Sequence, residues 1–429
     1  MRYSKIPSEL FKKNRKKLIS KLKKNALAIV VSNDEMPRNG DQTHPFRQNS
    51  DTFYLTGIEQ EKTMLILDSE QEDEKKQATL FILKPNKSTE QWEGHKLRKH
   101  EAREISGIEN IQYTENFDFA VRNLIIEREY IYLNTNEYAK FFTDVPYKDL
   151  RFIKKLQAAY PLHKYERLAP IITQCRLRKE PEEIELHKKA CKITNQAFHR
   201  VAKFIKAGIY EYEIEAEMTH EFIRKGANGH AYAPIIASGK NSCVLHYISN
   251  DQKLKDGDLV LMDFGAEYAN YSADTTRTLP VSGKFTKRQR EVYEAVLRVM
   301  KKAIKLIRPG ATINKVNSKV NELIEEELIH LKLISEEELE NQDPDNPVRM
   351  KYFMHGTSHF MGLDVHDVGG KDVPFEAGMF MSCEPGIYIE DENIGIRLED
   401  DILVTENGQT NLLSDEPIEP DEIEKLMQS

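Results

Sequence analysis

The stretch Asp258-Leu-Val-Leu-Met-Asp-Phe-Gly-Ala-Glu-Tyr-Ala-Asn-Tyr-Ser-Ala-Asp-Thr-Thr-Arg-Thr278 reads as an apolar strand interrupted at Asp263. Gly265 punctuates a turn, and a second strand brings Asp274 back beside the first. A carboxylate inside an apolar strand is costly unless it is paired or bound to a cation. Asp263 therefore requires a partner, either Arg277 in a structural salt bridge or a metal ion.

The same anomaly recurs downstream. In Met379-Phe-Met-Ser-Cys-Glu-Pro-Gly-Ile-Tyr388, Glu384 closes an apolar strand just before a Pro-Gly turn. In Gly395-Ile-Arg-Leu-Glu-Asp-Asp-Ile-Leu-Val404, strand alternation places Ile396 and Leu398 on one face and Arg397, Glu399 and Asp401 on the other. Glu399 becomes an inward carboxylate beside an inward arginine. Met354-His-Gly-Thr-Ser-His-Phe-Met-Gly-Leu-Asp-Val-His-Asp367 crowds His355, His359 and His366 around two glycines. A helical zinc-protease motif is excluded there, because Gly356 stands where its glutamate would follow the first histidine.

Asp263, Asp274, His359, Glu384 and Glu399 offer four carboxylates, one imidazole and no sulfur. Hard oxygen donors with a single nitrogen suit Mn²⁺, Co²⁺ or Mg²⁺ and admit zinc. Four converging carboxylates repel one another unless about two divalent ions neutralise them. Ions about 3.5–4 Å apart can bridge a water, lower its pKa and polarise a carbonyl, which is the chemistry of amide hydrolysis.

Outward from these segments, 429 residues make two or three domains the expectation. Ala26-Leu-Ala-Ile-Val-Val31, Thr63-Met-Leu-Ile-Leu-Asp68, Ala78-Thr-Leu-Phe-Ile-Leu83 and Tyr130-Ile-Tyr-Leu-Asn134 alternate with charged helical segments, the pattern of an α/β domain over 1–172. Leu10, Phe11, Leu18, Ile19 and Leu22 fall at helical spacing within a lysine-rich N-terminus, giving a solvated amphipathic helix rather than a secretory signal or an RNA-binding arm. Pro181, followed by Glu182 and Glu183, opens a helix after the boundary. The second domain, 173–429, reads as α+β, with helices near 181–206, 211–226, 286–307 and 312–330. Its two similar blocks suggest duplication without a visible sequence repeat. The acidic segment 335–347 reads as a helix end running into a solvated loop.

Composition narrows the function further. A net charge of -8 repels rather than recruits nucleic acid. Apolar runs stay far short of the ~20 residues that span a bilayer, so a cytoplasmic chain is expected. Cys175, Cys191, Cys243 and Cys383 are scattered without a Cys-x-x-Cys pair, which argues against a disulfide framework, a thiolate zinc site or an iron–sulfur cluster.

These segments resemble the creatinase/methionine-aminopeptidase superfamily of "pita-bread" metallopeptidases. Within it the chain resembles the aminopeptidase P family, the Xaa-Pro aminopeptidases, from about residue 25 to 410. Arg47-Gln-Asn-Ser-Asp-Thr-Phe-Tyr-Leu-Thr-Gly57 is similar to that family's N-terminal signature, and the histidine segment is similar to its characteristic one. The resemblance implies a creatinase-type α/β N-terminal domain ahead of an α+β pita-bread catalytic domain. It also implies a dinuclear site held by Asp263, Asp274, His359, Glu384 and Glu399, with Mn²⁺ the first expectation and Co²⁺ or Zn²⁺ alternatives. Glu384 would shuttle the proton of the attacking water. His246 and His366 would bind substrate or stabilise the transition state, with His355, Arg397 and Tyr388 in the same pocket. The implied substrates are peptides carrying proline at the second position, and the implied assembly is a homodimer or homotetramer. Trp92 resembles a residue that reaches a neighbouring subunit's site, and Asp41 is a second candidate for that role. Prolidase shares the fold, ligands and proline preference; metal-free scaffold members and creatinase-type amidinohydrolases would not need these carboxylates. Methionine aminopeptidases lack so large an N-terminal domain.

Overall fold

The computed structural model describes residues 2–429. Two compact units divide it: Ser4–Arg176, and residues 2–3 together with Leu177–Ser429. The division expected at 172/173 falls inside the helix Ala169–Leu177, whose turns carry the first unit on to Arg176.

The first unit is built on a six-stranded sheet ordered Asn110–Tyr113, Ala78–Ile82, Met64–Asp68, Ala26–Val31, Tyr130–Leu133, Lys164–Arg167. Ala26–Val31 is buried along its whole length, as an uninterrupted apolar run requires when a strand is covered on both faces. Leu27, Ile29, Ile66, Phe81 and Ile131 pack with Phe117, Val121 and Ile125 of the helix Phe117–Ile125 and Leu156 of Lys148–Ala159. The N-terminal helix is Ser8–Ile19; it buries Leu10, Phe11 and Leu18 and leaves Lys12, Lys13 and Lys16 exposed. The Arg47–Gly57 signature is an anchoring device. Asn49 caps the helix Ser50–Thr56 by accepting from the Asp51 and Thr52 amides, and Gly57 ends it at φ 66°, in the left-handed region. Asp51 then accepts from Arg176 and Asn134, each at 2.7 Å.

The second unit alternates helix pairs with antiparallel sheets. Pro181–Phe204 and Glu211–Arg224 precede the sheet of Ile235–Ser238, Leu259–Phe264 and Thr275–Pro280. Lys287–Ile304 and Ile313–His330 precede a four-stranded sheet of Phe360–Met361, Phe380–Cys383, Asp400–Thr405 and Gly408–Asn411. A separate antiparallel pair, Gly386–Ile389 with Ile394–Arg397, carries Tyr388 and Arg397. Pro181 occupies the first turn of its helix, where a missing N–H costs nothing, and Glu183 bonds back to the Glu180 amide at 2.8 Å. The acidic segment forms a short helix, Glu336–Glu340, that runs into a mostly exposed loop over 341–347.

Two sequence expectations are corrected here. The run 395–404 is not one strand: it breaks at Leu398, whose amide bonds Pro385 O, and Glu399 bridges sideways to Thr276. Arg277 does not reach Asp263. It pairs with Met262 across the sheet whereas Asp263 pairs with Thr276, so the two side chains leave opposite faces. Arg277 instead donates to Asp400 at 2.6 Å and Glu399 O at 2.7 Å and pairs with Glu416.

Gly265 packs against the returning segment just before Asp274, and a Cβ there would lie 1.8 Å from Ala273 O. Gly265→Ala is expected to destabilise the protein by about 1–3 kcal/mol, the range for overpacking. Chemical denaturation of the metal-free protein measures it, and an unchanged midpoint would contradict the close approach.

Candidate metal centre

The site is assembled at strand ends and breaks. Asp263 lies on Leu259–Phe264 opposite Thr276, and Thr276 bridges Glu399, so the three residues line up across neighbouring segments. Asp274 immediately precedes Thr275–Pro280. His359 precedes Phe360–Met361 and Glu384 follows Phe380–Cys383. Ser382 ties these two ends together: its amide donates to His359 O and its hydroxyl accepts from the His359 amide, both at 3.0 Å.

Asp274, His359 and Glu399 each aim a ligand atom into one place, all within 4.8 Å of one another. His359 donates from Nδ1 to Phe360 O at 3.1 Å, which turns Nε2 toward Asp274 Oδ2 at 3.4 Å and Glu384 Oε1 at 3.6 Å. That arrangement fixes the tautomer that leaves Nε2 free to ligate a metal. Asp263 joins through its neighbours: Arg397 donates to Oδ2 at 2.6 Å, and the Tyr232 hydroxyl, at 2.6 Å from Oδ1, also contacts Asp274. Thr276 donates to Glu399 Oε2 at 2.7 Å. Buried oxygen donors around one imidazole, without sulfur, suit a hard divalent cation.

Beside the carboxylates runs a directed hydrogen-bond chain. Arg397 Nη1 donates to the Tyr388 hydroxyl at 3.0 Å, Tyr388 donates to His355 Nε2 at 2.8 Å, and His355 Nδ1 donates to Gly356 O at 2.8 Å. His366 stacks edge-on against His359 with ring centroids 4.4 Å apart. His246 is exposed and lies close enough to His355 to repel its charge. The five carboxylate and histidine candidates thus gather in one pocket with His355, His366, Arg397 and Tyr388, and His246 stands near His355. Trp92, 87% exposed, and Asp41, also exposed, belong to the other unit.

Tyr232 and Thr276 escaped the sequence reading. Tyr232 lies in Ala-Tyr-Ala-Pro, with no periodicity or charge to mark it. Thr276 could have been found from the pairing of the two aspartate-bearing strands, which places it opposite Asp263.

The electrostatics show how much charge the pocket must absorb. Burial, set against the hydrogen bond from His359 and reinforced by the Asp263 charge, pushes Asp274 up to about 7. Burial likewise raises Glu384 and Glu399, the latter with added repulsion from Asp274. On His359 burial disfavours the charge, but Asp274 and Glu384 outweigh it and hold the imidazole at about 9. Burial and the Arg397 charge lower His355 to about 4, so it stays neutral and can accept from Tyr388. Without metal, protons do the work of cations.

The sign follows. A buried carboxyl raised from 3.8 to about 7 loses its stabilising contribution as pH rises through that interval. An imidazolium raised from 6.5 to about 9 contributes stability below 6.5 that disappears as pH climbs to 9. The contribution of these two groups to the thermal midpoint of metal-stripped protein is therefore expected to fall from about pH 4 to 9, and added Mn²⁺ should stabilise most at the alkaline end. A midpoint that holds flat without metal would contradict this electrostatic picture. Tyr232→Phe is expected to weaken metal binding or turnover by about 10–100-fold, read by Mn²⁺ titration and steady-state rates.

Fold and donor set together define a hydrolytic metalloprotein of two units. A model of metallopeptidase family M24 matches residues 185–406, and a model of the aminopeptidase P N-terminal domain matches residues 11–132. The chain is 36% identical to the Xaa-Pro aminopeptidase of Escherichia coli (strain K12), with 99% of this chain and 98% of that protein covered. Among solved structures, E. coli aminopeptidase P with the inhibitor Pro-Leu superposes with a TM-score of 0.88 at 35% identity over 99% of both chains. A zinc-substituted form of the E. coli enzyme in complex with product gives 0.89 at 33% identity, again over 99% of both chains. The chain belongs to metallopeptidase family M24, and an aminopeptidase P N-terminal domain precedes its catalytic domain.

Proposed function

We infer that this protein is a metal-dependent Xaa-Pro aminopeptidase, releasing the first residue from peptides whose second residue is proline. The observation that carries the reading is the convergence of Asp274, His359 and Glu399 on one point beside the Arg397–Tyr388–His355 chain, in a protein with full-length aminopeptidase P relatives. Asp263, Asp274, His359, Glu384 and Glu399 would hold two divalent ions, with Mn²⁺ first, and Co²⁺ or Zn²⁺ also compatible with the donors. Bound ions would supply Lewis acidity toward the scissile carbonyl and activate water at neutral pH.

The residues do the rest. A bond to proline is a tertiary amide without N–H, so the pocket must grip the carbonyl and the ends of the peptide instead. Glu384, its carboxyl raised by burial, takes a proton from the attacking water and delivers it to the departing proline nitrogen. His246 and His366, exposed at the pocket, hydrogen-bond the peptide carbonyl and the developing oxyanion. The Arg397–Tyr388 pair fixes His355 as a neutral imidazole and holds Asp263 in place. A free α-amine settles among the carboxylates, which restricts attack to the first peptide bond.

No described helix is long and apolar enough to cross a membrane, and we place the enzyme in the cytoplasm. We also propose a homodimer or homotetramer. Trp92, Phe142 and Leu162, 87%, 83% and 95% exposed, give the first unit apolar surface for such contacts, and Trp92 or Asp41 would there approach a neighbour's site.

Metal-stripped protein given Mn²⁺ is expected to release the first residue from an Xaa-Pro-Yaa tripeptide. Glu384→Gln should lower that rate by about 10²–10⁴-fold, the usual span for a general acid–base group. Cleavage of the Xaa-Pro dipeptide alone would make the enzyme a prolidase, and cleavage of neither with metal bound would overturn the reading. His246→Ala and His366→Ala are expected to lower turnover with metal retained; loss of metal would make them ligands instead.

A further inference from the structure

Behind Asp274 lies a second polar cluster, closed to solvent and unused by the reaction above. Asp401 Oδ2 accepts from three donors: His187 Nε2 at 3.1 Å, Cys191 Sγ at 3.1 Å and the backbone amide of Asp274 at 3.2 Å. His187 and Asp401 are 0% exposed and Cys191 1%. His187 and Cys191 stand one turn apart on one face of Pro181–Phe204, which brings both donors to the same oxygen. The His187 ring lies flat on Phe380, centroids 4.1 Å apart, so stacking fixes the imidazole plane. Phe380 and Ser382 pair with Leu403 and Asp401 across the sheet, and Glu384 follows directly on that strand.

A buried polar group of this kind is expensive unless it organises something. What it touches is the main chain of one proposed ligand, Asp274, while Asp401 lies two residues beyond another, Glu399. Asp274 needs such a hold. Its carboxylate is shared by Tyr232 and His359, and its segment must keep close to Gly265. We propose that His187, Cys191 and Asp401 form a positioning unit that fixes the Asp274 backbone and thereby presets the metal pocket. The unit acts through Asp274 and touches neither substrate nor metal. His, Cys and Asp could in principle ligate a metal themselves. A hydrogen-bonded unit accounts for the three donors on Asp401 Oδ2, whereas Asp401 Oδ1 has no partner among the described residues and leaves the metal alternative to the cobalt test below.

The proposal rests on the reading of Asp274 as a metal ligand, and the test separates the two. Mn²⁺ is titrated by calorimetry into metal-stripped wild type, His187→Phe and His187→Gln. Phenylalanine keeps the stack on Phe380 and removes the donor; glutamine restores an N–H near the Nε2 position. His187→Phe is expected to bind Mn²⁺ about tenfold more weakly and to lose kcat with KM unchanged, and His187→Gln to recover most of both. Equal Mn²⁺ affinity in folded His187→Phe and wild type overturns the positioning role while leaving the metal site intact. Failure of the wild type itself to bind Mn²⁺ overturns both readings. Should His187→Phe not fold, Cys191→Ala, which removes a second donor from the same oxygen, carries the same comparison. A cobalt–thiolate absorption band that vanishes in Cys191→Ala would make the cluster a metal site and likewise overturn the proposal.

Discussion

Negative charge confined in a small buried volume is the constraint on which the catalytic unit depends. Asp274 and Glu399 are buried, Asp263 and Glu384 half-buried beside them, and Coulomb repulsion at low effective dielectric grows steeply with each added carboxylate. Arg397 neutralises only Asp263 at close range. The balance falls to protons on Asp274 and His359 or to divalent cations. A site so arranged is expensive without a ligand and strongly binding with one, which is the behaviour wanted of a metal centre.

The scaffold answers that constraint piece by piece. Asp274, His359, Glu384 and Glu399 sit at strand ends or breaks, where a side chain can turn inward without disturbing a long ladder, and Asp263 sits within a strand, next to its last residue. Glu399 bridges sideways to Thr276, and His359 and Glu384 are tied at facing ends by Ser382. Arg277, buried with Asp400 and Glu416, grips the carbonyl of Glu399 from the opposite face. The neutral His355, fed by Tyr388 and Arg397, adds a polar wall without further charge.

Much of this was legible in the sequence, for identifiable reasons. Pro181 with Glu183 marked the start of the long helix, and Ala26–Val31 was apolar enough to be read as a fully covered strand. The carboxylates announced themselves by standing inside apolar runs. What stayed hidden lacked a local signal. Lys164–Arg167 and Asn110–Tyr113 are edge strands with polar side chains, formed because a neighbour offers hydrogen bonds. Arg277 was an available partner for Asp263 until strand register put it on the other face. The break at Leu398 is a tertiary event, since Pro385 captures its amide, and Tyr232 becomes functional only by where a loop lands.

The most direct test of this account is a crystal structure of the Mn²⁺-loaded protein with anomalous scattering recorded for the metal. Two neighbouring anomalous peaks enclosed by Asp263, Asp274, His359, Glu384 and Glu399 are what the buried charge requires. A single peak, or manganese bound elsewhere with these carboxylates left to protons and arginine, would contradict it.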